Sequence, residues 1–336
     1  MRNSINEIED TADETKKRSR PRGKREVIMG VKNFANKSFA TRLASGIVLV
    51  ALLILGLTVG GSFAGGRILF FANLILSLIA MYELYKAIEV HKTILAYTGY
   101  LFIIIYYVLL YFDQYNVALV AGKDIHGKRF MMILMVGFLI VLFAEYVFTY
   151  PKFKMKHVAE VFMCMVYGGV MLSYLYITRM EGSKLLADGS MKDGVGLYSV
   201  WLIFIASWGC DTCAYLAGVA FGKHKMAPVL SPKKSIEGAI GGILGAAALG
   251  AIYAAIFSDK IDLPYPVPMF AIICAVAGFI SMIGDLAASA IKRNHDIKDY
   301  GRIIPGHGGI MDRFDSVIYV APVIWILVYL TTYVLK

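Results

Sequence analysis

Between two long apolar runs, residues 289–315 read SAIKRNHDIKDYGRIIPGHGGIMDRFD. Counting Asp285 just upstream, this interval carries five basic residues, two histidines and five carboxylates. Charge near lipid is costly, so such a cluster marks a functional site. Asp285, Ser289 and Lys292 are spaced i, i+4, i+7, which sets a carboxylate, a hydroxyl and an ammonium on one helical face. Arg293, Lys298 and Arg302 follow, with Asp299 able to orient them. The segment Pro305, Gly306, His307, Gly308, Gly309 is too glycine-rich for a helix and lets backbone N–H groups approach an anion closely. Asp312 and Asp315 come next at i, i+3, with Arg313 between them. Two carboxylates, Asp285 and Asp312, beside lysines and a glycine turn suit magnesium-assisted phosphate chemistry. Mg2+ takes one or two carboxylates plus phosphate oxygens and waters, while lysines and arginines neutralise charge developing on the phosphates. A surface salt-bridge network would explain the charge, but neither the glycines nor the helical alignment.

Two further constellations bear on this site. Ser207, Asp211 and Tyr215 recur at i, i+4, i+8 inside an apolar run, which predicts one polar helix face. An interhelical hydrogen bond is the plainer reading of Asp211. The loop GKHKMAPVLSPKKSIEGAIGG supplies Lys223, Lys225, Lys233 and Lys234, with Ser231-Pro232 suited to a turn before a helix start. Ser235 and Glu237-Gly238 then open the next apolar run, and a basic loop at a helix N-terminus is a good place for phosphate. A loop that merely sets topology would need the lysines but not the serines, Glu237 or the glycines. Glu83, Glu89 and Glu145 lie in or near apolar runs and read as structural.

The elements that must position these groups are membrane spans. Of 336 residues, 58% are hydrophobic and only 17% are charged, with a mean hydropathy of +0.64, the composition of an integral membrane protein. Runs near 43–64, 67–89, 93–112, 129–149, 156–178, 196–221, 238–258, 265–288 and 315–335 predict an all-α polytopic bundle of nine transmembrane helices. The long sixth run could be broken or strongly tilted. Residues 1–42 read as a charged, disordered tail with a possible interfacial helix, 43–195 as N-terminal spans, and 196–336 as the catalytic membrane region. The tail's polarity also argues against a cleaved signal peptide.

Net charge is +10, but the basic residues sit in short segments between apolar runs. That distribution favours anionic lipid and nucleotide phosphates over nucleic acid. With the N-terminus cytoplasmic, the inner segments hold 25 of the 34 lysines and arginines, which places both chemically rich loops on the cytoplasmic side. The four cysteines all lie inside apolar runs, and Cys210-x-x-Cys213 lacks a second pair or histidine to complete a zinc set.

Ser289-x-x-Lys292-Arg293, Lys298-Asp299, Gly301, Pro305, His307-Gly308-Gly309, Asp312-Arg313 and Asp315 together resemble the signature of the phosphatidate cytidylyltransferases, or CDP-diacylglycerol synthases. Asp211 with Ala214-Tyr215, Gly222-Lys223, Ser231-Pro232-Lys233-Lys234-Ser235 and Glu237-Gly238 match the same pattern, so the resemblance runs from about residue 200 to 320. It implies an enzyme that joins CTP and phosphatidic acid into CDP-diacylglycerol and pyrophosphate. It also implies a Mg2+ ion with K+ as a possible second metal, a homodimer, and a bacterial plasma membrane location. By position, Asp285 and Asp312 would bind metal. Lys292, Arg293, Lys298 and Arg313 would clamp phosphates, and the His307-Gly308-Gly309 turn would cradle one. The Lys223–Glu237 loop would close the site, with Asp211 beneath. A CTP-dependent lipid kinase, an anionic-solute transporter and a structural scaffold are the alternatives.

Overall fold

A span rich in Leu, Ile, Phe and Val satisfies its backbone polar groups internally only as a helix, and helices dominate here. The computed structural model describes residues 63–114, 127–185, 191–261, 263–301, 303 and 308–334. The tail 1–42, nearly all of the first expected span, Arg302, and the Pro305, Gly306 and His307 positions lie outside these residues. The helices are α1 (Phe63–Ala87), α2 (Ile94–Gln114), α3 (Gly127–Phe148), α4 (Met155–Met165), α5 (Met171–Met180), α6 (Gly196–Phe204), α7 (Cys210–Phe221), α8 (Ile236–Phe257), α9 (Pro266–Asn294) and α10 (Met311–Tyr333). A π-helical turn, Val166–Val170, fuses α4 to α5, and another, Ile205–Gly209, fuses α6 to α7.

Counted as continuous runs, eight helices among the described residues are long and apolar enough to cross a membrane. Large apolar side chains such as Ile68, Phe71, Leu244 and Ile272 are exposed on their outer faces, as lipid contact requires. The chain is an all-α polytopic membrane protein. The sixth apolar run is one continuous helix, Gly196–Phe221, whose winding changes at the second π turn rather than breaking.

Small residues let the helices approach. A Cβ at Gly242 of α8 would lie 2.9 Å from Ala214 Cβ, and one at Gly250 would lie 2.6 Å from Cys274 Sγ. All four cysteines are free thiols, and Cys210 and Cys274 are buried against α8 and α9. Helix α10 packs against both α9 and α5, so its first turn sits where the N-terminal helices and the motif-bearing helices meet. Two antiparallel hairpins join helices: β1 (Lys184–Leu185) with β2 (Met191–Lys192), and β3 (Lys225–Ala227) with β4 (Ser231–Ser235). The second replaces the simple turn expected around Ser231-Pro232. Pro232 is tolerated there because a two-stranded hairpin is all edge.

Candidate active site

The polar residues converge where α7, β4, α9 and α10 meet. Ser235 caps α8, its Oγ accepting from Gly238 N–H at 3.2 Å. That start fixes Lys234 just before the cap, and its ammonium pairs with the Asp285 carboxylate on α9. Two turns along α9, Lys292 Nζ reaches Asp312 Oδ1 at 3.0 Å. These side chains are about nine-tenths buried or more, with Lys292 13% and Asp312 5% exposed. Asp312 Oδ2 also accepts from Tyr300 N–H at 2.9 Å and Gly309 N–H at 3.1 Å. One carboxylate thus holds the lysine and both ends of the intervening loop. The backbone obliges because Gly308 sits at φ +85°, a conformation that side chains resist.

Asp315 lies one turn further along α10, and its carboxylate accepts from its own neighbour, Ser316 N–H, at 2.8 Å. It feels the charges of Asp285, Lys292 and Asp211. Asp211 on α7 feels Lys234 and Asp285 in turn. The described residues therefore bring Asp211, Asp285, Asp312 and Asp315 to one place with Lys234 and Lys292. Outside this centre the side chains of Arg293, Lys298, Asp299, Arg313, Lys223 and Lys233 are exposed, and Ser289 and Ser231 are half-buried. Arg293 Nη1 donates to the Ile297 carbonyl at 3.3 Å. His307, expected beside the phosphates, lies outside the described residues.

Glu237 does not face the centre. Its carboxylate accepts from the Lys223 and His224 N–H groups at 3.0 and 3.2 Å, and pairs with His224 Nδ1 at 2.6 Å. It ties the β3 end of the hairpin to the start of α8. The expected polar face of Ser207, Asp211 and Tyr215 does not form either. Ser207 is buried in the π turn with its hydroxyl on the Ile203 carbonyl at 2.8 Å, while Tyr215 is 71% exposed. One extra residue per turn at 205–209 rotates Ser207 out of register with α7.

Glu83 matters more than its sequence context suggested. From α1 its carboxylate accepts the Ile310 and Met311 N–H groups at 3.2 and 2.8 Å, capping α10 where Asp312 and Asp315 begin. A carboxylate at a helix N-terminus satisfies orphan donors and meets the positive end of the dipole. Gly301 and Gly309 press against it; a Cβ at either would lie 2.1 or 2.5 Å from its oxygens. Tyr300 closes the other side. Its hydroxyl donates to the Ala288 carbonyl at 3.0 Å, its ring lies 5.3 Å from Lys292 Nζ, and burial pushes its hydroxyl pKa well up.

The arrangement has two tiers. The inner tier is anionic and oxygen-rich. The outer tier is cationic and faces water, as binding a polyphosphate requires. Among the described residues no three His, Cys, Asp or Glu side chains are grouped so as to hold a metal ion; Mg2+ needs only one or two carboxylates when phosphate and water supply the remaining oxygens.

A family profile described as the cytidylyltransferase family matches residues 40–331. The phosphatidate cytidylyltransferase of Staphylococcus saprophyticus is 32% identical over 207 residues, which cover 62% of this chain and 72% of that protein. Those of Staphylococcus epidermidis and Staphylococcus aureus are also 32% identical, with the same two shares covered. Both the matched length and the convergence of the motif residues at one end of the bundle lead to one assignment: the chain belongs to the cytidylyltransferase family.

Proposed function

We propose that this enzyme transfers the cytidylyl group of CTP to phosphatidic acid, giving CDP-diacylglycerol and pyrophosphate. The observation that carries the reading is the clustering of four carboxylates and two lysines from α7, β4, α9 and α10 in one membrane bundle. A phosphatidate oxygen attacks the α-phosphorus of CTP. The α–β anhydride bond breaks, and the pyrophosphate oxygen keeps the electron pair. The nucleophile is already an anion, so no general base is needed. Lys292, Lys298, Arg293 and Arg313 meet the phosphates from the loop side, and Lys223 and Lys233 from the hairpin side. Orientation and charge neutralisation then supply most of the catalysis.

Magnesium fits this donor set. A carboxylate offers about four lone-pair sites. Asp312 has three in use, to Lys292, Tyr300 and Gly309. Asp285 and Asp315 each have one in use among the described residues. Since no three of these side chains are grouped to share an ion, one or two carboxylates would hold it, and Asp285 and Asp315 have more lone pairs left than the Asp312 of the Asp285–Asp312 pair expected from sequence. When bound, the ion supplies Lewis-acid neutralisation of phosphate charge. A K+ ion beside it would use the same oxygen chemistry.

The charge bias of the loops supports a cytoplasmic active site in a bacterial plasma membrane, where CTP is available. A homodimer, implied by the family resemblance, is part of the same proposal. The test is to supply purified protein with cytidine-labelled CTP, phosphatidic acid and MgCl2. A lipid-soluble cytidine product with equimolar pyrophosphate is expected. Release of CDP with no labelled lipid would assign a lipid kinase instead, and chelation by EDTA without loss of turnover would remove the metal.

A further inference from the structure

Tyr167 belongs to no motif in the sequence, yet it stands beside the inner carboxylates. It is the second residue of the Val166–Val170 π turn, and only 6% of it is exposed. The extra residue in such a turn re-aims the side chains around it, and these turns recur at functional sites. The backbone here is fixed from behind. A Cβ at Gly168 would come 2.8 Å from Leu84 Cδ1, and one at Gly169 would come 2.6 Å from Ile103 Cδ1. In front, the Tyr167 ring meets the Tyr319 ring edge-on at 5.4 Å. Tyr319 in turn lies on Gly284, where a Cβ would be 2.9 Å from Tyr319 Cδ2, one residue before Asp285.

The hydroxyl at the end of this stack is buried and has no hydrogen-bond partner among the described residues. The groups that act on it electrostatically are Tyr300, Asp315, Tyr319 and Asp285. The orphaned hydroxyl of Tyr100, by contrast, feels Tyr82 and Tyr97 rather than the inner carboxylates. A buried donor without an acceptor is destabilising, and each one calls for an explanation. An acceptor that arrives with the substrate would provide it.

We infer that the Tyr167 hydroxyl is a substrate-contacting group, donating a hydrogen bond to a substrate phosphate oxygen that enters the site beside Asp285 and Asp315. The inference rests on the phosphate chemistry proposed above. The phosphate is that of the lipid or that of the nucleotide, and the two are separable by kinetics.

The test is Tyr167→Phe in the full-length protein, measured for turnover and for melting temperature in detergent. Removing a donor to a charged phosphate lowers kcat/KM by about tenfold to a hundredfold. Because the hydroxyl has no partner in the protein itself, its removal leaves the melting temperature equal or raises it, which a structural role would not do. A rise in KM for phosphatidic acid alone assigns the lipid phosphate, and a rise for CTP alone assigns the nucleotide. Turnover within twofold of wild type overturns the inference. So does a variant too unstable to purify, since the hydroxyl would then be holding the fold. If wild-type protein makes no lipid-soluble cytidine product, it is the cytidylyl-transfer reading that falls. An active wild type with an equally active Tyr167→Phe removes only the Tyr167 assignment.

Discussion

Replacing Glu83 by glutamine weakens the cap of the helix that carries Asp312 and Asp315 while changing side-chain volume very little. The carboxylate accepts two backbone N–H groups, from Ile310 at 3.2 Å and Met311 at 2.8 Å. Glutamine offers one carbonyl oxygen, so one of those donors would face an amide NH2. Losing a hydrogen bond to a charged acceptor is worth about 1.5–3 kcal/mol, and losing the charge at the helix N-terminus adds ~0.3–1 kcal/mol. The first turn of α10 should therefore open more easily by about 3 kcal/mol, or roughly a hundredfold in local opening at 1.36 kcal/mol per decade. Amide hydrogen exchange over residues 310–315 measures this directly, with turnover of CTP into lipid as the second readout. The expected result is exchange about a hundredfold faster in that segment and turnover reduced at least tenfold. Glu89→Gln is the control, since Glu89 is exposed and should change neither. Exchange and turnover in Glu83→Gln within twofold of wild type would refute the capping role.

Three further outcomes follow from the same geometry. Asp285→Asn should abolish product formation and Lys234→Ala should cut it at least tenfold; because the two side chains are paired, the double variant should be no worse than Asp285→Asn alone in the same assay. Gly309→Ala would put a methyl 2.5 Å from a Glu83 oxygen, an overpacking of about 1–3 kcal/mol, read as a lower melting temperature together with lost turnover. Tyr300→Phe loses one hydrogen bond, to the Ala288 carbonyl at 3.0 Å, but keeps the ring under Lys292, so thermal unfolding should report only about 1 kcal/mol and turnover should stay within severalfold.

How much of this was legible in the sequence depended on distance along the chain. Asp285 and Lys292 could be placed on one face because a single helix carries both, and helical spacing is a local property. The span count came from the same kind of signal, although the run at 43–64 lies almost wholly outside the described residues. Glu83 could not be placed. It caps a helix 227 residues away, and an acid in an apolar run announces a role without naming a partner. The Ser207–Asp211–Tyr215 face failed because a period of 3.6 assumes unbroken α-helix, and nothing in Ile205–Gly209 signals the inserted residue. Tyr167 was hidden for the same reason. The hairpin at Lys225–Ser235 was read as a turn because its strands are short and carry no alternating apolar pattern.

The charge of the inner tier is what makes the two tiers one device. Asp211, Asp285, Asp312 and Asp315 face Lys234 and Lys292, which in ionised form leaves two negative charges in excess at the end of an apolar bundle. Uncompensated charge is severely penalised in low dielectric, and one divalent cation balances it. A bare polyphosphate would add to the excess. Substrate affinity should therefore depend on magnesium rather than on lysine count alone. With the ion in place, the exposed cations at Arg293, Lys298, Lys223 and Lys233 are left to meet the nucleotide from the water side. Their attraction is screened by salt, whereas the largely buried inner pairs are screened much less. Raising ionic strength from 0.05 to 0.5 M at saturating MgCl2 should thus raise KM for CTP severalfold and leave kcat nearly unchanged. A fall in kcat with KM constant would mean that the exposed cations act on the transition state, and that the division between an inner metal tier and an outer binding tier is wrong.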